Sequence, residues 1–539
     1  MIQPKAKRLK LGPTQDQEVQ NNAIDENNDE LKGKSPKSSP SLDKPSLLSL
    51  YTECCLHIFE MLPLNDLCSV SKTCKRFQAL GKDVYRRRYK SKVLIIEDIA
   101  DDGNMALGPD EKYTNCFAEF IQNVSLSQNV ASKAGLARLK AFYKAKAKDE
   151  YDSGDENENS QEEQSSDESA KKDDGPISTP ITSLRFENWR GGLRKSHGPV
   201  LADIVQGVEA VTFSSTKISG DLNENMLQFL PNMKRLTLWK TLNEPRDDER
   251  VNWMEQTYPK LEHFAWHLYR EVPVNKVKRF LQVNPSIKTF SLLSKSPRTI
   301  NELVNEGMRI DELFFDIPSD LWNALADLRL FCQQQVGRQL KLHLKFSDSV
   351  RASLNQNLNL LTAIAPYIEG LYFEEAFVDE KLVKVIEKCE HLKMIQLNLQ
   401  PKGKMMWLTN IPKLQEIFIY WAVNLSTFGK YHKVMMMLAG QVQQLKKIYI
   451  RNNSRKFNEF GLDELNSERR KLTDTKRLKI YFKSEETINT GRLDATVCEF
   501  DKIEALRVES ETFDNPLVTK YLTTKGLPRF FYRHCLRIL

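Results

Sequence analysis

A pattern of the form apolar-x-x-apolar-x-apolar recurs down most of this 539-residue chain and narrows its fold more than any other feature. It occurs at Val208/Val211/Phe213, Met233/Leu236/Leu238, Leu261/Phe264/Trp266, Ile287/Phe290/Leu292 and Ile310/Leu313/Phe315. It resumes at Ile368/Leu371/Phe373, Leu392/Ile395/Leu397, Leu414/Ile417/Ile419, Leu445/Ile448/Ile450 and Ile503/Leu506/Val508. Degenerate copies stand at Leu342/Leu344 and Leu478/Ile480, and two earlier ones at Ile121/Val124/Leu126 and Ile181/Leu184/Phe186. The last two positions of each triplet alternate as strand residues do, so both point to one side of a sheet. Successive copies lie roughly 22 to 31 residues apart, which leaves room for one strand and one helix per copy. Between strands, Lys381 to His391 places Leu382, Val385, Ile386 and Cys389 on one helical face. One such unit cannot bury its own apolar strand face, so neighbours must stack. The fold class is therefore α/β, a strand–helix array.

This period resembles that of leucine-rich repeats, although a regular Asn or Cys after the strand is missing. The resemblance implies a curved solenoid over residues 179–539 with a C-terminal cap, and one or more first repeats within a linker at 91–146. In such a solenoid the residues between the core positions face the concave side. That face is expected to bind a protein target, through Trp239, His263, His267, Phe314, Tyr372, Phe418, Tyr420, Tyr449, Arg451 and Lys479. Aromatic side chains suit binding hot spots, and a basic later part, with Lys447 and Arg477, suits an acidic target. The alternative for each ring is that it covers a neighbouring strand.

A second informative stretch runs from Leu50 to Leu80. Cys54, Cys55, Ile58, Phe59 and Leu62 recur at helical steps, which predicts one apolar, buried helix face on which both thiols are inert. Pro63 breaks the pattern, and Asn65 or Asp66 is placed to cap a following helix. Leu67, Val70, Cys74, Phe77 and Leu80 continue it, and Gly81 is read as its stop. So small a unit has more apolar surface than it can bury alone, which points to a partner. The stretch resembles an F-box, through Leu50, Glu53, Ile58, Phe59, Leu62, Asp66, Leu67, Val70, Cys74, Lys75, Arg76 and Phe77. It departs from the family where Tyr51 replaces a Pro, Cys54 and Cys55 an aliphatic pair, and Val84 and Tyr85 a late Trp. The resemblance implies a three-helix F-box at 46–90 that binds a Skp-family adaptor and, through it, a cullin/RING ligase core. Its contact residues would be Leu50, Glu53, Cys54, Ile58, Phe59, Leu62, Pro63, Leu64, Asp66, Leu67, Val70 and Phe77.

The net charge of +7 conceals strong segregation. Residues 1–45 hold few large apolar side chains and are expected to be a disordered tail. Within it, Lys5, Lys7, Arg8 and Lys10 resemble a nuclear localisation signal, so a nuclear or cytoplasmic setting is expected. An acidic insertion over 147–178 follows a Lys/Arg-rich stretch and has nothing to build a core with. The nine cysteines show neither CxxC pairs nor regular spacing, so no metal or disulfide framework is signalled. No apolar run reaches the ~20 residues a membrane helix needs. No P-loop, nucleophile elbow or dinucleotide fingerprint occurs, so no catalytic residue, cofactor or small-molecule ligand is expected. Three readings stay open: the substrate receptor of a cullin-type ubiquitin ligase, a repeat scaffold without a degradative role, and a nuclear nucleic-acid-binding protein.

Overall fold

The structure, a computed structural model, describes residues 50–89 and, between 93 and 523, the strands, the helices and much of what joins them. Residues 1–49, 97–115, 141–180, 294–308, 484–494 and 524–539, with several shorter connections, lie outside the description. The basic cluster at Lys5, Lys7, Arg8 and Lys10 and the acidic insertion are therefore outside the described residues. The chain divides into two units at Leu50/Tyr51, and the described helices and strands all belong to the second, Tyr51–Leu539.

That unit begins with three helices: α1 (Thr52–Met61), α2 (Leu64–Ser71) and α3 (Lys75–Tyr89). Helix α1 ends because Leu62 precedes a proline, which disfavours helical backbone at the residue before it. Leu62 is accordingly extended, at φ −73° and ψ 138°. Neither Asn65 nor Asp66 caps the next helix as expected, since α2 already starts at Leu64 with Pro63 in the cap position. Gly81 is not a stop either, because α3 runs on for two turns beyond it. A Cβ there would lie 1.9 Å from Ser71 Oγ, so glycine is what lets α3 press against α2.

The interior of this unit holds Cys55, Phe59, Leu67, Cys68, Phe77, Val84 and Tyr85. Phe59 meets Phe77 edge-on at 5.3 Å, and Tyr85 stacks on Phe117 at 4.6 Å. Burying each such side chain stabilises by roughly 1.5–3 kcal/mol. At the rim, Arg87 pairs with Glu60 at 2.7 Å and Arg88 donates to the Leu62 and Glu60 carbonyls, tying α3 to the end of α1.

Beyond α3 the chain alternates between strands and helices. The strands are β1 (Val93–Ile96), β2 (Asn123–Leu126), β3 (Ser183–Glu187), β4 (Ala210–Ser214), β5 (Lys217–Ile218), β6 (Arg235–Trp239), β7 (Leu242–Asn243), β8 (His263–His267), β9 (Thr289–Leu293) and β10 (Glu312–Ile317). There follow β11 (Lys341–Phe346), β12 (Ile368–Phe373), β13 (Met394–Asn398), β14 (Glu416–Trp421), β15 (Lys447–Asn452), β16 (Leu478–Lys483), β17 (Ala495–Cys498), β18 (Ile503–Val508) and β19 (Val518–Thr523). Strands β5 and β7 form a small separate pair. Fifteen of the rest lie side by side as one parallel sheet in chain order, from β1 to β16 and then β19. This is the leucine-rich-repeat arrangement that the triplets predict. Helices cover one face: Phe280, on the helix Val274–Val283, packs 4.6 Å from Phe264, and Trp253 lies 5.9 Å from Trp266. β2 and β3 pair directly, Asn123 to Ser183, so everything between them leaves the sheet unbroken.

The C-terminal end departs from expectation. Ile503/Leu506/Val508 is not a further parallel repeat, for β18 runs antiparallel between β17 and β19. The parallel place beside β16 goes to β19, which carries no triplet, with Leu478 opposite Val518. Asn466, fully buried, brings it there: its Oδ1 accepts from the Leu517 and Val518 amides at 2.8 Å, and its Nδ2 donates to the Val518 carbonyl. Close by, the buried Arg469 guanidinium donates to the carbonyls of Ala439, Val442, Gln443, Leu445 and Lys476. Five carbonyls satisfy a cation that burial has drawn down to a pKa of about 10.

Candidate partner-docking surfaces

Helix α1 presents two adjacent apolar ridges rather than the single buried face expected. Cys55 and Phe59 turn inward, at 0 % and 1 % exposure. Tyr51, Cys54, Ile58 and Met61, spaced three, four and three apart, form an outer stripe. Their exposure reaches 81 % at Tyr51, 54 % at Met61 and 37 % at Ile58. The expectation that Cys54 is buried and inert is thus corrected: its thiol is exposed, because the inner ridge is filled by Cys55 and Phe59. Of the residues expected to touch an adaptor, Glu53, Cys54, Ile58, Pro63 and Asp66 are exposed, while Leu50, Leu62 and Val70 are half-buried. Phe59, Leu64, Leu67 and Phe77, also expected as contacts, are interior and hold the helices together. Tyr51 and Met61 share the exposed stripe with Ile58, at a spacing the sequence made readable.

The second expected surface is the sheet face turned away from the helices. Parallel, in-register strands about 4.8 Å apart place equivalent side chains directly over one another, so rings at one position must stack. Phe418, Tyr449, Tyr481 and Tyr521 do so, at 6.1, 4.8 and 5.0 Å. Phe314 lies flat on His343 at 4.2 Å, and Trp239 packs at 4.3 Å on His267. In consequence Phe314, Tyr372, Phe418 and Tyr449, expected as contact residues, are buried, the last three completely. They lie within the stacked rows of the sheet face turned away from the helices. Trp239, His263, His267 and Lys479 keep part of their side chains exposed. The side chains of Tyr420 and Arg451 lie outside the description.

Some of the polar groups set into this face compensate one another, while Ser125 Oγ, Ser291 Oγ and Gln396 Oε1 are buried without a hydrogen-bond partner among the described residues. His343, fully buried and not singled out by the sequence, meets Glu312 Oε1 through Nε2 at 3.0 Å. A carboxylate only accepts, so Nε2–H donates, and Nδ1 stands 3.3 Å from the Tyr372 hydroxyl. Gly370 makes room for this, since a Cβ would stand 2.5 Å from His343 Nδ1 and 2.7 Å from the Tyr372 oxygen. Lys345 pairs with Asp316 at 2.8 Å and Lys447 with Glu416 at 3.6 Å. The expected basic character of the later part is therefore offset by carboxylates at Lys447. His263 is a weaker base than a free histidine, chiefly through burial and then through Arg235. Among the described residues no group of His, Cys, Asp and Glu could hold a metal ion, and no helix is long and apolar enough to cross a membrane.

Comparison with known proteins bears on the helical half of this picture. Residues 48–91 match the F-box-like family model, a span that coincides with the three helices. The chain thus joins an F-box-like domain to a leucine-rich-repeat array, two kinds of module typical of non-catalytic interaction proteins. F-box domains generally bind Skp-family adaptors. Among solved structures, internalin C2 of Listeria monocytogenes is similar at 11 % identity and a TM-score of 0.22, covering 46 % of this chain and 83 % of its own. The internalin inlF of the same organism is similar at 14 % identity and a TM-score of 0.26, covering 50 % and 75 %. The repeat assignment rests on the strand register itself. No curated protein sequence is significantly similar to the chain.

Proposed function

We propose that the protein is a substrate receptor of an SCF-type ubiquitin ligase. Its F-box-like helices dock a Skp-family adaptor, and its repeat array holds a protein target for ubiquitin transfer by the cullin/RING core. The observation that carries this reading is the exposed stripe Tyr51–Cys54–Ile58–Met61, apolar surface on a domain whose relatives bind such adaptors. Catalysis is supplied by the partner enzyme; tethering raises the local concentration of target lysines around it. Target contact is assigned to the part of the sheet face that stays accessible, at Trp239, His263, His267 and Lys479. The basic cluster Lys5–Lys10 accounts for a nuclear share of the protein, which disappears if those four cations are replaced by alanine in a fluorescent fusion.

Co-purification of the full chain with a Skp-family adaptor tests the docking step. Ile58→Asp combined with Met61→Asp is expected to abolish capture while the circular dichroism spectrum stays that of the parent. Capture that survives both changes, or that is absent in the parent, removes the reading. Capture without target ubiquitination leaves a scaffold role in its place.

A further inference from the structure

Along the N-terminal edge of the sheet, lysines are matched by an acidic residue one strand earlier. Lys234 meets Glu209 at 2.7 Å, Lys288 meets Glu262 at 3.0 Å, and Lys393 meets Glu369 at 3.2 Å. The pattern is not complete: Lys260 and Lys446 meet the neutral side chains of Asn232 and Gln415. Lys341 and Lys413 pair with no carboxylate among the described residues. Both line a cavity of about 540 Å³ together with Tyr367, Glu369, His391 and Lys393. That volume lies in the range of small-ligand sites.

The cavity has a cause in the backbone. The register of β11 on β12 slips between Leu342/Ile368 and His343/Gly370, which leaves Glu369 as an extra residue in β12. A bulge of this kind bends its strand and spreads the pair at that end. Pro366, just upstream and also on the wall, has no N–H with which to close the gap. Inside, Lys413 Nζ stands 2.8 Å from His391 Nδ1. The ammonium can only donate, so the neutral imidazole carries its proton on Nε2 and is a second donor. Glu369, the single carboxylate on the wall, is taken by Lys393. Glu312, the carboxylate across the ladder from Lys341, is taken by His343.

We infer that this cavity binds a phosphate-bearing anion. Two ammonium groups with no carboxylate at ion-pair distance among the described residues, Lys341 lying only within the field of Glu312, match a dianion. The imidazole N–H and the Tyr367 hydroxyl add neutral donors suited to phosphate oxygens. An extended nucleic acid would need the positive charge to continue along the edge, and there Lys393, Lys288 and Lys234 are already paired with carboxylates. The site is separate from the helical docking stripe and does not depend on it.

The test is calorimetric titration of the full chain with inorganic phosphate and with a five-residue peptide, phosphoserine flanked by two alanines on each side. The unphosphorylated peptide serves as reference. Saturable binding of at least one phosphate probe is expected, with affinity falling as salt rises. Lys341→Ala with Lys413→Ala is expected to weaken it at least tenfold, and Lys288→Ala, at a matched edge position, to leave it unchanged. Both variants change exposed side chains, and an unaltered melting temperature shows that the fold is kept. Tighter binding of the phosphopeptide than of phosphate identifies a phosphorylated protein segment as the source. Equal binding identifies a small free anion. No saturable binding of either probe, equal binding of the unphosphorylated peptide, or an unchanged affinity in the double variant overturns the site.

Discussion

The outer ridge of α1 and the ring ladder of the sheet are built from the same kind of side chain, and the chain treats them in opposite ways. Tyr51, Ile58 and Met61 stand in solvent, while Tyr372, Phe418 and Tyr449 are wholly enclosed. The difference lies in what neighbours each ridge. A three-helix unit has one interior, and its inner ridge fills it with Cys55 and Phe59; the outer ridge has nothing left to meet. A repeat array supplies an equivalent residue one strand away at every step, so its apolar positions cover one another. An apolar stripe on the small unit is therefore informative about a partner, and an apolar row on the array is informative about packing.

The comparison breaks most visibly if Tyr449 is shortened. It stacks on Phe418 and on Tyr481, so Tyr449→Ala is expected to cost about 3–5 kcal/mol in chemical denaturation. Tyr51→Ala, the same chemical change on the open ridge, is expected to stay within about 0.5 kcal/mol. Equal costs at the two sites would mean that the ladder is not what closes that face.

The covered face can also be opened from its end. Asn466→Ala removes the partner of the Leu517 and Val518 amides and is expected to destabilise by about 2–3 kcal/mol, since buried amides are left unmatched. Hydrogen exchange localises the loss: the amides of β19 should exchange faster while those of β4 and β6 keep their protection. Uniform acceleration over the whole sheet would show instead that Asn466 is no local pin.

How far the sequence revealed all this depends on what kind of interaction decides each feature. The triplets are local and periodic, and almost every one of them became a parallel strand, including the degenerate Leu342/Leu344 and Leu478/Ile480. β19 was not legible, because its place depends on Asn466 some fifty residues earlier, reaching across space to two backbone amides. The span of the helical module was legible too, but not the inward or outward aim of Cys54 against Cys55. Neighbouring residues on a helix differ by about 100°, so an apolar pair reads as one face until packing chooses between them. The enclosure of the rings escaped for the opposite reason. Alternation says which side of a strand a residue takes, and is silent on whether that side is covered.

Thiol chemistry sharpens the contrast with smaller perturbation. Cys54 is exposed, whereas Cys332 and Cys389 are buried and their thiols are pushed up to about 12 by burial. Iodoacetamide applied to the native chain at neutral pH is expected to modify Cys54 and to spare Cys332 and Cys389 until denaturant is added, as read by peptide mass spectrometry. Modification of all three at one rate would remove the distinction between open and closed ridges. Protection of Cys54 by a bound adaptor would place the partner directly on the stripe.

The smallest expected effect asks whether charge, besides stacking, helps to close the far face. Burial by itself would raise the Glu312 pKa, but the hydrogen bond from His343 and the fields of His343, Lys341 and His263 outweigh it, and the carboxyl is held below its ordinary value. A carboxyl depressed on folding contributes stability that is complete above its unfolded pKa and is lost as pH falls through its lower folded one. The parent is therefore expected to exceed Glu312→Gln at neutral pH by about 1 kcal/mol, since glutamine still accepts the imidazole proton but carries no charge. Denaturant midpoints measured from pH 7 down to pH 3 should draw together, with the gap beginning to close as pH falls through the ordinary carboxylate range. A gap that stays constant over that interval would assign Glu312 a purely steric role and leave the ring ladder alone to close the face.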